Sequence, residues 1–194
     1  MKRLCVFCGS KTGSRPLFAE ATRHFAAALV AHGYELVYGA GHVGLMGVLA
    51  DAVLAAGGKV IGVIPQSLVD RELAHLGLTE LRIVETMHQR RALMADLSDA
   101  FVALPGGNGT ADELFEILTW AQLGIHAKPI GLLNIASFFD PLLAWLDQCV
   151  REDFIRDNHR ELLIVSADSA VLLDRLSLFR AHPPAPKWAT DFDR

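Results

Sequence analysis

Short apolar runs alternate regularly with helical patterns along this chain, and this alternation constrains its fold more than any other feature. Each run is apolar almost throughout, which is the pattern of a strand buried on both faces of a sheet. The runs predict strands at 4–7, 35–38, 59–64, 81–84, 99–104, 129–133 and 162–165. Helices are predicted to open at Pro16, after Gly47, and at Thr86, Thr110, Ser137 and Asp168. Residues 66–80 show neither pattern, and an irregular segment is expected there.

Strands that alternate with helices in this way form a parallel sheet with helices on both faces. The prediction is an α/β fold, a single Rossmann-like, doubly wound domain of about seven parallel strands. It should span residues 1–180, because the 194 residues of the chain suit one domain rather than two. Residues 181–194 contain three prolines and are expected to form a flexible tail.

Composition excludes several classes of function. The net charge of -4 offers no electrostatic footprint for nucleic acid, and no run of 18 apolar residues could span a membrane. Three cysteines, an odd number without disulfide spacing, favour a reducing, cytoplasmic location.

Cys5 and Cys8 form a Cys-x-x-Cys pair, but positions three apart on a strand face opposite sides of the sheet. They are therefore expected to be buried thiols, and neither a metal nor another cofactor is predicted.

A glycine-rich turn, Pro-Gly-Gly-Asn-Gly-Thr at 105–110, lies between the fifth predicted strand and its helix. Ligands of such sheets bind where the strands end. A strand, a glycine turn and a helix start bring together backbone N–H groups and the positive end of the helix dipole. The turn therefore predicts a site for a phosphate-bearing ligand at Gly106, Gly107, Asn108, Gly109 and Thr110.

Glu113, three residues after Thr110, allows two interpretations. The spacing is that of a capping box, in which the glutamate bonds back to the threonine N–H at the start of a helix. A carboxylate beside a phosphate site could instead take part in catalysis, and a solvated capping residue would not need three glycines in front of it. The residues alone leave both interpretations open.

Arg90 is the least expected residue of the helix that follows the fourth strand. At 100° per residue it lies in the middle of the apolar face marked by Leu93, Met94 and Leu97. A guanidinium there must be paired or must reach a polar cavity. Arg91 points elsewhere on the helix and is predicted to be a second phosphate contact.

A second glycine-rich turn, at 39–47, ends the second strand and faces the same crevice. Gly39, Gly41 and Gly44 have the spacing of a dinucleotide fingerprint, but they do not follow the first strand. The acidic ribose ligand expected about 20 residues further on is also missing. The chain contains neither GxxxxGK[ST] nor GxSxG. We therefore predict neither NAD binding, nor phosphoryl transfer from a nucleoside triphosphate, nor a serine nucleophile.

Residues 105–113, Pro-Gly-Gly-Asn-Gly-Thr-Ala-Asp-Glu, resemble the PGGxGTxxE signature of the LONELY GUY (LOG) family. This family comprises nucleoside 5′-monophosphate phosphoribohydrolases, including cytokinin-activating enzymes. The likeness covers residues 3–165, with further ordered matches at 5–10, 37–39, 44–47, 62–65, 87–90 and 119–126. Arg91 stands where the family usually has a lysine.

The resemblance implies hydrolysis of the N-glycosidic bond of a nucleoside 5′-monophosphate. The substrate would be AMP or a cytokinin riboside 5′-monophosphate, and the products would be the free base and ribose 5-phosphate. Arg90 and Glu113 occupy the two catalytic positions. Besides residues 106–110, substrate contacts are expected from Gly9, Ser10, Gly44, Met46, Met87 and Arg91.

The alternative function is a non-catalytic carrier of a nucleotide or a phosphate-bearing cofactor, of the molybdenum-cofactor-carrier type. A carrier would not need the Arg90 and Glu113 pair. The label "lysine decarboxylase", common in the family, is disfavoured because a pyridoxal phosphate enzyme needs a Schiff-base lysine. Only Lys11 is expected near the crevice, in a polar loop.

Glu113, Glu116 and Trp120 form a stripe along one side of the predicted helix at 110–123. A tryptophan in line with a site carboxylate is rarely left in water. The stripe predicts that this helix packs against its copy in a homodimer, with the active site near the contact.

Overall fold

A computed structural model describes residues 2–71 and 73–180. Seven parallel strands form one sheet in the order β4-β3-β2-β1-β5-β6-β7. The strands are β1 Lys2–Phe7, β2 Tyr34–Tyr38, β3 Val60–Pro65, β4 Glu80–Val84, β5 Ala100–Ala103, β6 Ile130–Leu133 and β7 Leu163–Ser166. The helices are α1 Leu17–Ala31, α2 Gly44–Ala55, α3 Gln66–Val69, α4 Met87–Leu97, α5 Asn108–Gln122, α6 Asp140–Arg151, α7 Asp157–Arg160 and α8 Ser169–Leu178, with a 3-10 turn at Ile135–Ser137.

The predicted fold class is confirmed, and each strand lies within two residues of its predicted position. Two short helices were not predicted: α3 lies inside the segment at 66–80, and α7 precedes β7. Each is a single turn, too short to show a helical period in the sequence. The tail predicted at 181–194 lies outside the described residues.

The sheet separates two apolar layers. Leu4 and Val6 of β1 pack into the layer covered by α1, α2 and α8, while Cys5 and Phe7 pack into the layer beneath α4, α5 and α6. Cys8 belongs to the first layer, so Cys5 and Cys8 are free, buried thiols on opposite sides of the sheet, as predicted. Within the described ranges, no helix has the length and apolar character needed to cross a bilayer.

The strand order reverses at β1, and this reversal positions the site. The chain runs outward from β1 through β2 and β3 to β4, then returns to place β5 on the other side of β1. Leu4 of β1 pairs with Leu36 of β2 on one side and with Ala100 of β5 on the other. The loops after β1 and β5 diverge to opposite faces of the sheet and leave a crevice at the carboxyl edge, where doubly wound folds bind ligands.

Candidate active site

A cavity of about 290 Å³ lies in this crevice, and we call it the site cavity. The loops after β1, β2 and β5 form its walls, together with α4 and α5. Nine of the predicted site residues lie on the wall: Gly9, Ser10, Met46, Arg90, Gly107, Asn108, Gly109, Thr110 and Glu113.

One end of the site cavity is built from backbone. Helix α5 starts at Asn108, with Gly107 as its N-cap residue and no side chain bonded to the cap. The N–H groups of its first turn and the positive end of the helix therefore face the cavity, an arrangement that binds anions. A Cβ on Gly106 would lie 2.1 Å from Thr110 Oγ1, so the loop can pack this closely only around a glycine. The loop after β1 joins this end through a hydrogen bond from Gly9 N to the Pro105 carbonyl (3.0 Å).

The capping interpretation of Glu113 is wrong, because α5 begins two residues earlier than predicted and has no side-chain cap. A capping box is formed instead at the start of α4. There Gln89 N donates to Thr86 Oγ1 (3.1 Å), and Thr86 N donates to the Gln89 side-chain oxygen (3.2 Å). Thr86-x-x-Gln89 was visible in the sequence as a capping signature. Glu113 is left facing the cavity.

Arg90 is buried on α4, and the backbone fixes its orientation. Its Nε donates to the Val63 carbonyl (3.1 Å) and its Nη2 to the Gly39 carbonyl (3.3 Å). Its Nη1 lies 3.6 Å from Oε1 of Glu113. A Cβ on Gly39 would lie only 1.5 Å from Nη2, so glycine at that position makes room for the guanidinium. The arginine is thus presented to the cavity on a rigid support.

Glu113 is a buried acid with a raised pKa. Burial is the largest influence and, with smaller contributions from Asp112 and Glu116, raises the pKa of Glu113 to about 7. Arg90 and Arg91 oppose this shift. A carboxyl with a pKa near neutrality can hold or release a proton at working pH, as acid–base catalysis requires.

Four predicted substrate contacts lie off the wall of the site cavity. Arg91 forms ion pairs with two carboxylates of α5, Asp112 and Glu116. Met87 is half exposed at the start of α4, with its sulfur 3.8 Å from Arg90 Nη1. The other two are glycines that shape the loops from behind, Gly44 and Gly106.

Gly44 has a φ of +62°, and a Cβ on it would lie 2.2 Å from the carbonyl carbon of Ser10. Its role is therefore to let the second glycine-rich turn approach the loop after β1.

The far end of the cavity is apolar, and sequence reasoning missed most of it. Leu68 and Leu73, from the segment between β3 and β4, line it together with Val43 and Met46. A backbone bond from His42 N to the Leu73 carbonyl (3.2 Å) fixes this segment to the second glycine-rich turn. No period in 66–80 signals these contacts, because they depend on where the segment folds back.

Comparison of this chain with known proteins identifies the family to which it belongs. The family described as "Possible lysine decarboxylase" matches residues 46–176. A cytokinin riboside 5′-monophosphate phosphoribohydrolase of Arabidopsis thaliana is 50% identical over 169 residues, covering 87% of this chain and 79% of that protein. The enzyme named cytokinin riboside 5′-monophosphate phosphoribohydrolase LOG, of Oryza sativa subsp. japonica, is 47% identical over 175 residues, covering 90% and 72%.

Solved structures share the fold at lower identity. The molybdenum cofactor carrier protein of Chlamydomonas reinhardtii has a TM-score of 0.68 at 21% identity, covering 91% of this chain and 98% of that one. The molybdenum cofactor binding protein of Rippkaea orientalis has a TM-score of 0.69 at 18% identity, covering 91% and 96%. At these identities the likeness shows the fold alone.

Proposed function

We propose, since the chain belongs to the LOG family of cytokinin riboside 5′-monophosphate phosphoribohydrolases, that it hydrolyses nucleoside 5′-monophosphates to a free base and ribose 5-phosphate. The observation that carries this assignment is the placement of Arg90 and Glu113, 3.6 Å apart, beside the anion-binding start of α5. The cavity thus combines an anion-binding helix start with a carboxylate and a guanidinium. These groups suit the 5′-phosphate, the positive charge at C1′ and the negative charge on the departing base.

The 5′-phosphate binds at the start of α5, against the N–H groups of residues 108–110 and the Thr110 hydroxyl. This contact fixes the ribose in the cavity and supplies the orientation that accelerates the reaction. Cleavage of the glycosidic bond passes through an oxocarbenium-like state, with positive charge at C1′ and negative charge on the departing base.

Glu113 acts on the sugar side of that transition state. Its carboxylate stabilises the charge at C1′ and takes a proton from the attacking water, whose oxygen bonds to C1′. This proton balances the one that the departing base gains on becoming the neutral free base, and its release returns Glu113 to the carboxylate. Arg90 stabilises the developing negative charge and holds the substrate. The two carbonyls that bind its Nε and Nη2 keep it in place without reorganisation.

The lysines of the described chain support hydrolysis over amino-acid decarboxylation. Lys59 pairs with Glu35, and Lys128 donates to the Ala95 carbonyl. Lys11 is exposed and lines a neighbouring cavity on the other side of the Gly9 loop. A Schiff-base lysine would have to reach the reacting atoms, and none of the lysines that the structure describes is on the wall of the site cavity.

AMP and N6-prenylated AMP are the proposed substrates. The apolar end formed by Val43, Leu68 and Leu73 suits a purine. Among the residues that the structure describes, this end presents no charged side chain that an N6 alkyl chain would have to desolvate. A comparison of kcat/KM for AMP, GMP, CMP and isopentenyl-AMP tests this assignment. Base release from the adenine nucleotides with a clear preference over CMP supports it. Tight nucleotide binding with no base release would instead favour the alternative function, a non-catalytic carrier of a nucleotide or a phosphate-bearing cofactor.

A cytoplasmic homodimer through residues 110–123 completes the proposal. Trp120 is only partly covered by its own core, and Ile125, just beyond α5, is 64% exposed. Apolar surface at the end of a helix that carries a site carboxylate supports packing against a second copy. The buried free thiols Cys5 and Cys8 suit a reducing compartment. Light scattering at micromolar concentration should give twice the chain mass, and a monomer would contradict the dimer.

A further inference from the structure

We propose that Arg91 is a positioning residue, which clamps Asp112 and Glu116 and thereby fixes the placement and charge environment of Glu113. This inference rests on the proposed function, because it concerns the same carboxylate. It assigns Arg91 to the support of the catalytic group instead of to the substrate phosphate.

The clamp joins one guanidinium to two carboxylates by different contacts. Nη1 of Arg91 bonds to Asp112 Oδ2, whereas Nε lies 3.1 Å from Glu116 Oε2 in an ion pair that lacks hydrogen-bond geometry. Asp112 directly precedes Glu113, and Glu116 follows it by one helical turn. The clamp therefore holds α5 on both sides of the catalytic carboxylate. The planar fork of arginine can bind two carboxylates at once, which a single ammonium cannot do with the same geometry.

Burial makes the Glu116 half of this clamp more than a surface ion pair. The Arg91 side chain is 15% exposed and that of Glu116 is 23% exposed, whereas that of Asp112 is 64% exposed. Arg90 is the preceding residue on α4, so two consecutive arginines of α4 engage three carboxylates of α5. Any shift of α5 relative to α4 that separated Arg91 from its partners would also move Glu113 away from Arg90.

The charges around Glu113 show what the clamp does electrostatically. Arg90 and Arg91 face it from α4, Asp112 and Glu116 lie beside it on α5, and the thiols of Cys5 and Cys8 lie on the side of β1. Arg91 offsets the two flanking carboxylates. Without it only Arg90 would oppose them, and they would raise the pKa of Glu113 further, so that less of Glu113 would be ionised at neutral pH.

Variants of Arg91 and Glu116 test the clamp. Arg91→Gln should lower kcat for AMP about 10-fold or more because the carboxylate is misplaced, with KM changed less than about twofold. The acid limb of its pH–rate profile should move to higher pH. Glu116→Gln removes a negative charge and should move that limb to lower pH. Arg91→Lys should be intermediate, and it serves in place of Arg91→Gln if that variant does not fold.

Arg160→Gln is the matched control. Arg160 joins α7 to Asp147 of α6 through its Nε at 2.8 Å, so the variant also removes an arginine–carboxylate pair between two helices. It lies outside the site cavity and should leave kcat, KM and the pH profile unchanged.

Two further measurements distinguish a failure of the clamp proposal from a failure of the proposed function. Calorimetry with ribose 5-phosphate should give the same Kd for wild type and Arg91→Gln; a weaker Kd with unchanged kcat would make Arg91 a phosphate contact and overturn the proposal. Titration of ¹³C-labelled glutamate by NMR should show Glu113 ionising at higher pH in Arg91→Gln, and an unchanged titration overturns the clamp. The NMR readout needs no turnover. A wild-type protein that releases no base refutes the proposed function alone.

Discussion

Nη1 of Arg90 lies 3.6 Å from Oε1 of Glu113, and the two side chains are only 9% and 12% exposed. The other nitrogens of Arg90 are bound to the carbonyls of Gly39 and Val63, so the guanidinium cannot turn away from the carboxylate. Burial nevertheless outweighs the attraction of the arginine, and the pKa of Glu113 is raised to about 7. The pair is held in a state in which the acid can exchange its proton near neutral pH.

Activity should therefore rise with pH through the neutral range. Glu113 must be ionised to accept a proton from water, and its pKa of about 7 places the acid limb of the kcat/KM profile near that value. The measurement is kcat/KM for AMP against pH at constant ionic strength. An acid limb near the ordinary pKa of glutamate would contradict the assignment of this limb to a buried Glu113 with a raised pKa.

Gly39→Ala should act as an indirect Arg90 variant. The new methyl group would occupy the position of Arg90 Nη2 and displace the guanidinium from Glu113. We expect kcat/KM to fall by about 100-fold, the loss typical of a misplaced catalytic group. Gly131→Ala in β6 is the control, because it also adds a methyl group to a buried strand, and the nearest atoms that this group would meet belong to the side chains of Leu172, Val102 and Leu176. Equal losses of activity in both variants would point to general destabilisation.

Thr110→Val should weaken substrate binding. Thr110 is 4% exposed in the first turn of α5 and lines the site cavity. Valine keeps its shape but removes the hydroxyl, and a hydrogen bond to a charged group contributes about 1.5–3 kcal/mol. KM for AMP should therefore rise about 10-fold or more, with the thermal midpoint little changed. An unchanged KM would place the phosphate elsewhere in the cavity.

Asp153→Gly should stabilise the fold. Asp153 follows α6 with a φ of +61°, a left-handed conformation that glycine adopts without strain. The bonds from Phe154 N to the Cys149 carbonyl and from Asp153 N to the Val150 carbonyl form a Schellman motif.

The gain should be about 1 kcal/mol, and the thermal midpoint should rise by roughly 2–4 °C. Asp153→Ala keeps the Cβ and is the control. A similar rise in both variants would show that the charge, and not the backbone, is responsible.

The sequence predicted the architecture because each buried strand is a continuous apolar run, and because glycine-rich turns mark the carboxyl ends of the strands. It also identified Arg90 as anomalous, since a guanidinium on an apolar face requires a partner. For the neighbouring Arg91, the sequence predicts a phosphate contact, because the position of a residue on one helix does not reveal its partners on another helix. Its ion-pair partners, Asp112 and Glu116, lie on α5, and the packing of α5 beside α4 brings them to Arg91.

The start of α5 could not be placed from residue types. Thr110 and Glu113 have the spacing of a capping box, and the same spacing separates Thr86 and Gln89, where the box forms. The glycines decided the outcome, because Gly107 adopts the cap conformation itself and lets the helix begin at Asn108. Leu68 and Leu73 likewise reach the cavity through long-range folding of an aperiodic segment.

In the proposed mechanism, Glu113 is the carboxylate that drives base release. Glu113→Gln keeps the size of the side chain and removes its ability to accept a proton. Chromatographic quantification of adenine and ribose 5-phosphate from AMP should show equal amounts of both with the wild type. The variant should release base more slowly by about 100-fold or more, with the Kd for AMP largely retained. Unchanged turnover by Glu113→Gln would show that Glu113 does not accept the proton and that another group drives base release.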